Sequence, residues 1–195
     1  MADNHPVTDS DWRSRRWEAT HRRIYDATMG LFAEHGFERV NVGQIAAAAG
    51  VSVPTFYAHY PSKEHIVMQL PTTEQMAALM STQPRELPLR DRLVGIAPIW
   101  LAQWSPEERD DMLARWQIIA STPALRTRAA EFERTTAEMI AAALAGETGE
   151  PLRQSDGILV NAYMAAFTSA LLTWADCDGE RKVEELMDEA FGALR

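Results

Sequence analysis

The sequence predicts an all-α protein. Apolar residues recur at helical spacing along the chain, no alternating Val/Ile/Thr-rich run bounded by turn residues appears, and Gly, Pro, Ser, Thr and Asn fall where helices start and stop. Residues 1–11 are polar with three Asp, lack the basic-then-apolar order of a signal peptide, and are expected to be a disordered lead-in. The first helix is predicted from Trp12 to His35, with Ile24, Ala27, Thr28, Leu31 and Phe32 as its apolar stripe and Gly36 at C′. A second, from Val42 to Ala49, has Asn41 as N-cap, Gln44 to complete a capping box and Gly50 to end it. Ser52 caps a third, from Val53 to His59 or Tyr60, with Pro54 in the first turn, where a missing N–H is tolerated. Ser62 caps a fourth that Pro71 should kink or break near Leu70. Longer helices follow: Leu89 to Trp104 with a kink at Pro98; one beginning Ser105-Pro106-Glu107-Glu108; Thr122-Pro123 to Ala145, closed by Gly146; Asp156 to Ala175; and Glu180 to Leu194.

The 195 residues are 46% hydrophobic and 24% charged, an ordinary globular balance, and the single Cys177 suits a reducing cytoplasm without a disulfide framework. A net charge of −9 argues against nucleic-acid binding until its distribution is considered. Between Trp12 and His65 seven basic residues (Arg13, Arg15, Arg16, Arg22, Arg23, Arg39, Lys63) face five acidic ones (Glu18, Asp26, Glu34, Glu38, Glu64), a balance of +2 that leaves −11 elsewhere. That segregation divides the chain into two functional parts: residues 12–66, and an acidic part over residues 67–195.

Within 42–60 the residue sizes fit two helices crossing tightly. Ala46 is small where the helices meet, Gly50 permits a left-handed turn, and Ile45, Ala49, Val51, Phe56 and Tyr60 close a small core with the first helix. A tight turn followed by a helix with a free outer face is the helix-turn-helix geometry that enters a major groove. Gly36-Phe37, then Val42, Ile45-Ala46, Ala49-Gly50-Val51-Ser52, Thr55-Phe56-Tyr57, His59-Tyr60 and Ser62-Lys63-Glu64 closely resemble the DNA-binding region of the TetR family of repressors. The resemblance covers roughly residues 20–66. It implies a cytoplasmic regulator with an N-terminal helix-turn-helix domain and a C-terminal helical ligand-binding and dimerisation domain, working as a homodimer on a palindromic operator.

The resemblance puts Thr55, Tyr57, His59 and Lys63 against phosphates or the groove wall, where each side chain can donate to phosphate oxygens. Asn41 and Val42 begin the second helix, whose free N–H groups favour a phosphate. Val53 and Pro54 begin the reading helix but offer only apolar contact, and Gly43 removes a possible base contact, so direct readout is modest. Arg13, Arg15 and Arg16 read first as a solvated helix face and second as an N-terminal arm adding non-specific affinity.

In the C-terminal part, the uncharged stretch Gly157 to Ala175 raises a membrane span. Asn161, Thr168, Ser169 and Thr173 interrupt it, and small residues such as Ala162, Ala165, Ala166 and Ala170 fit a subunit interface better. With the last helix it would form a four-helix dimer bundle, similar to the family's interface. Aromatic and Met side chains are dense from 99 to 167. Most are core; the resemblance implies that some line a cavity for a mostly apolar or aromatic effector. The candidates are Trp100, Gln103, Trp104, Trp116, Gln117, Phe132, Asn161, Tyr163, Met164 and Phe167, with Thr168 as a further polar anchor. His5, His21, His35 and His65 have no partners at ligand spacing, so neither metal nor cofactor is expected. The competing readings are a helix-turn-helix regulator or interaction module with no small-molecule ligand, and, more distantly, an all-α enzyme. For the enzyme no nucleophile–base pair or carboxylate pair stands out.

Overall fold

The computed structural model describes residues 9–194, with side chains from Trp12 onward, and among these it is helical without a strand. The chain divides into two compact units, the first ending at Ile66 and the second beginning at Val67.

In the first unit α1 spans Asp9–His35, α2 Val42–Ala48 and α3 Val53–His59. Residues 1–8 of the expected lead-in lie outside the described residues, while 9–11 are already helical. The core gathers Ile24, Thr28 and Phe32 from α1, Phe37 and Val40 from the following turn, Ile45, Ala46 and Ala49 around α2, and Phe56 and Tyr60 around α3. Thr28 is tolerated there because its hydroxyl donates to the Ile24 carbonyl at 2.7 Å. Local chemistry sets the ends. Gly36 (φ +79°) donates its N–H to the Phe32 carbonyl at 2.8 Å to close α1, and Gly50 (φ +62°) makes the turn between α2 and α3. At the head of α2, the Gln44 N–H reaches Asn41 Oδ1 at 3.0 Å, and the Asn41 N–H reaches Gln44 Oε1 at 2.8 Å. Ser52 Oγ accepts from the Thr55 N–H at 3.2 Å and caps α3.

The fourth helix differs from expectation. α4 is one turn, Glu64–Val67, and residues 68–72 are non-helical. Ser62 does not cap it: its hydroxyl pairs with His65 Nδ1 at 2.9 Å. The break therefore comes three residues before Pro71, whose ring disfavours helix in the residue ahead of it.

The second unit contains α5 (Thr73–Ser81), α6 (Leu89–Leu101), α7 (Pro106–Ser121), α8 (Pro123–Thr148), α9 (Gln154–Asp176) and α10 (Val183–Gly192). Helix α9 is central, packing on α6, α7, α8 and α10, and α5 packs on α8 and α6. Its core includes Met80, Leu93, Leu101, Ile140, Val160, Leu171, Trp174, Val183, Met187 and Phe191. Helix α5 was not anticipated from the sequence, although Thr72 and Gln75 form a reciprocal capping box at its head. Helix α8 runs through Gly146 and stops at Gly149, which takes the left-handed conformation (φ +73°) ahead of Pro151. Helix α6 keeps Pro98 inside it and ends at Leu101 rather than Trp104. A buried ion pair ties α5, α6 and α8: Arg92 Nη2 donates to Glu147 Oε1 at 2.8 Å and to the Met80 carbonyl at 3.2 Å.

Helix α9 is long and apolar enough to cross a membrane by length and composition, yet only 33% of its most apolar stretch is buried inside the unit, and Ile158 is 64% exposed.

Candidate DNA-reading face and ligand cavity

Helix α3 offers an outer face to a groove. Phe56 is fully buried beneath it, while Val53, Pro54 and Tyr57 are exposed; the Tyr57 ring stands edge-on to Phe56 at 5.4 Å. Thr55 is half-buried, and its hydroxyl lies 2.7 Å from Ser52 Oγ. If Ser52 donates in that pair, Thr55 keeps its own proton for an outside acceptor. Asn41 is exposed, but its Oδ1 is committed to capping α2, leaving only its amide N–H₂ for a phosphate. Val42, half-buried, follows at the first position of the helix. A Cβ at Gly43 would sit 3.1 Å from Asn41 Oδ1, so a side chain there would press on the cap; this is a local reason for glycine.

Lys63 is not a free ammonium. Its Nζ donates to the Phe37 and Val40 carbonyls at 2.7 Å each and lies 4.1 Å from the centre of the Phe37 ring. Two of three N–H groups are thus used inside the unit, clamping the turn between α1 and α2, and one is left for a phosphate. Burial lowers its pKa, with Glu64 and Glu38 opposing.

His59 packs into an aromatic group at the C-terminal end of α3. Its ring lies 4.7 Å from Trp17 and 5.7 Å from His21, and His21 is stacked between Trp17 (4.8 Å) and Tyr60 (4.2 Å). Both imidazoles have a buried Nδ1 without a hydrogen-bond partner. Burial pushes the pKa of each below its usual value, and the charge of His59 lowers that of His21 further. The two rings are therefore neutral at pH 7. Because the folded values lie below the unfolded value of about 6.5, the stability they confer is present above that pH and is lost as pH falls toward the folded values. The melting temperature is expected to drop as pH falls below about 6.5, and to drop less in His21→Phe, which keeps the stack. An identical drop in that variant would refute the assignment.

The second unit holds a cavity of about 670 Å³ bounded by α5 to α10 and by residues just before α5. Among the sequence candidates, Trp100, Gln103, Trp116, Phe132, Tyr163, Met164 and Phe167 are at its wall, as is Thr168. Three candidates are elsewhere. Trp104 lies behind the wall, edge-on to Trp100 at 4.3 Å, with the Arg109 guanidinium 5.7 Å from its ring centre. Gln117 points away and donates to Asp178 at 3.1 Å. Asn161 is exposed and donates to its own helix at the Gly157 carbonyl, 2.8 Å. Leu70 and, from α5, Met76 and Leu79 supply part of the wall, and α8 adds Ala129, Glu133 and Thr136. Among the described residues, Glu133 is the one charged side chain lining the cavity, and no Lys, Arg or His lines it. Tyr163 packs on Phe191 at 5.4 Å, its hydroxyl buried without a partner.

Comparison with known proteins agrees with this architecture. Residues 24–70 match the model of the bacterial regulatory proteins of the tetR family, and residues 92–195 match the MftR C-terminal domain. The transcriptional regulator MftR of Mycobacterium tuberculosis is 29% identical over 160 residues, 76% of this chain and 80% of that protein. Among solved structures, a protein of Syntrophomonas wolfei assigned to the same family superposes with a TM-score of 0.60 at 17% identity, covering 90% of this chain and 93% of that one. Thermus thermophilus FadR, a TetR-family repressor in complex with lauroyl-CoA, gives 0.53 at 22%, covering 89% and 92%. The chain belongs to the tetR family of bacterial regulatory proteins, and its C-terminal part is of the MftR type.

Proposed function

We propose that this DNA-binding regulator acts in the cytoplasm as a dimeric repressor, which holds a two-fold operator and leaves it when a neutral, mostly apolar ligand fills the cavity of the second unit. The observation that carries the ligand reading is the cavity itself, about 670 Å³ with Trp100, Trp116, Phe132, Met164 and Phe167 on its wall and, among the described residues, no basic side chain. Such a wall solvates hydrocarbon or aromatic surface and, among the described residues, offers no cationic partner for a phosphate or sulfate. FadR is bound to lauroyl-CoA; a ligand of that build would place only its acyl chain against these residues. Homodimerisation accounts for α9, whose apolar stretch is only 33% buried within one chain and carries the small residues Ala162, Ala165 and Ala166, of which Ala165 is exposed. Two copies of α9 and α10 would bury it, and a dimer matches two-fold DNA. A ligand that favours the weakly binding conformation by about 3 kcal/mol would reduce DNA affinity about a hundredfold.

Selection of bound fragments from a random DNA library, repeated with a screen of neutral lipophilic compounds, tests this. Recovered sites with two-fold symmetry and their release by at least one such compound are expected. Enrichment of asymmetric sites would refute the dimer on its operator. Release by polyanions alone would refute the ligand class.

A further inference from the structure

The geometry points to a second DNA-contacting surface on the N-terminal part of α1, a basic stripe formed by Arg13, Arg16 and Arg23 that follows the phosphate backbone beside the reading helix. The family match begins at residue 24, but α1 begins at Asp9, so about four helical turns precede the matched region. Residues 12–23 hold five Arg against one acid, Glu18, in a chain whose net charge is −9. At about 100° per residue, Arg13, Arg16 and Arg23 fall within about 80° of one another around the helix. They flank the side on which Trp17 faces α3. Arg15 and Arg22 lie further round the helix, about 80–100° beyond Arg23 and about 100–180° from Arg16 and Arg13; there Arg22 pairs with Asp26 at 2.9 Å, and Glu18 also lies away from the stripe.

Three features make this stripe a binding surface and not simply a solvated face. First, the segment is fastened to α3: Trp17 sits against His59 at 4.7 Å, His21 stacks on Tyr60 at 4.2 Å, and the Tyr60 hydroxyl reaches the His21 carbonyl at 3.4 Å. The stripe is therefore continuous with the C-terminal end of the helix that enters the groove. Second, the Arg16 guanidinium lies over the Trp12 ring, 5.4 Å from its centre, which orders a side chain that water would otherwise leave free. Third, Trp12 and Trp17 remain 55% and 50% exposed, so aromatic faces alternate with cations, and a planar guanidinium beside an indole suits a phosphate and its sugar. From Arg13 to Arg23 the helix rises about 15 Å, the axial length of about four base pairs. The contacts carry no base information: the surface adds affinity and fixes orientation, in keeping with the apolar start of α3 at Val53 and Pro54.

Two double variants with the same change in net charge separate this from simple electrostatics. Binding of full-length protein to a short random-sequence DNA duplex is followed by anisotropy over a salt series. R16Q/R23Q is expected to bind roughly tenfold more weakly at moderate salt, and to lower the salt slope by about 2, at about 0.9 per phosphate contact. R15Q/R22Q is expected to leave the slope unchanged. Equal slopes for the two variants, whether both unchanged or both reduced, overturn the proposal while the helix-turn-helix reading stands. No binding of wild-type protein to the duplex at any salt overturns both. Unfolding curves of both variants should match the wild type, since all four side chains are exposed.

Discussion

Replacing Lys63 by methionine is expected to cost the first unit about 2 kcal/mol of stability and to weaken binding to operator and random DNA alike by about tenfold. The loss comes mainly from inside the molecule. The ammonium is shared between the Phe37 and Val40 carbonyls, 2.7 Å away each, and these belong to the turn that delivers Asn41 to the head of α2. A side chain of similar length without donors leaves both carbonyls unpaired, and an unmet buried acceptor costs more than a hydrogen bond contributes. The turn then loosens, the Asn41–Gln44 box loses its fixed entry, and a phosphate at the start of α2 loses its preformed site. Urea unfolding with parallel DNA titration checks this. Weakened binding with unchanged stability would show that Lys63 acts on phosphate alone and that the clamp is incidental.

Ala129→Phe is expected to make the protein blind to its ligand while leaving DNA binding intact. Ala129 is 5% exposed and stands on the cavity wall, one turn before Glu133 on α8. A phenyl group extending from it enters empty space, so the usual penalty of about 1–3 kcal/mol for overfilling a packed core does not apply. The neutral dye Nile red serves as the probe. Wild type should bind it with a rise in emission, and the variant should bind at least about tenfold more weakly, a loss of about 1.4 kcal/mol or more. Unaltered dye affinity, or loss of DNA binding together with dye binding, would contradict this placement of the site.

How much could be read in advance followed the range of the forces involved. Helix ends were legible because caps are chosen within three or four residues: Gly36, the Asn41–Gln44 pair, Gly50, Ser52 and the Ser105–Glu108 box all act where their sequence pattern predicts. By the same criterion Thr72 and Gln75 also mark a helix start, one that the surrounding Pro71, Pro84 and Pro88 obscure. Gly146 looked like a stop, but glycine permits a left-handed turn without compelling one, and α8 continues to Gly149. Side-chain fate was least legible. Lys63 is held by residues 23 and 26 positions away, and Gln117 by Asp178 across 61. Trp104 and Trp100 are four apart on paper, yet only Trp100 is on the cavity wall. A helical wheel gives a direction from the axis; what stands in that direction depends on the neighbouring helix.

The positions of the indoles give the protein built-in optical reporters. Trp100 and Trp116 border the cavity, with Trp104 in edge contact behind Trp100 and Trp174 stacked beyond it at 6.4 Å. An occupant displaces water from the first two and changes their emission, while close spacing lets the others share the excitation. Trp17, against two imidazoles, belongs to the other unit and answers to their protonation instead. Wavelength and acidity together distinguish, in an unlabelled chain, a filled cavity from a disturbed DNA-reading face.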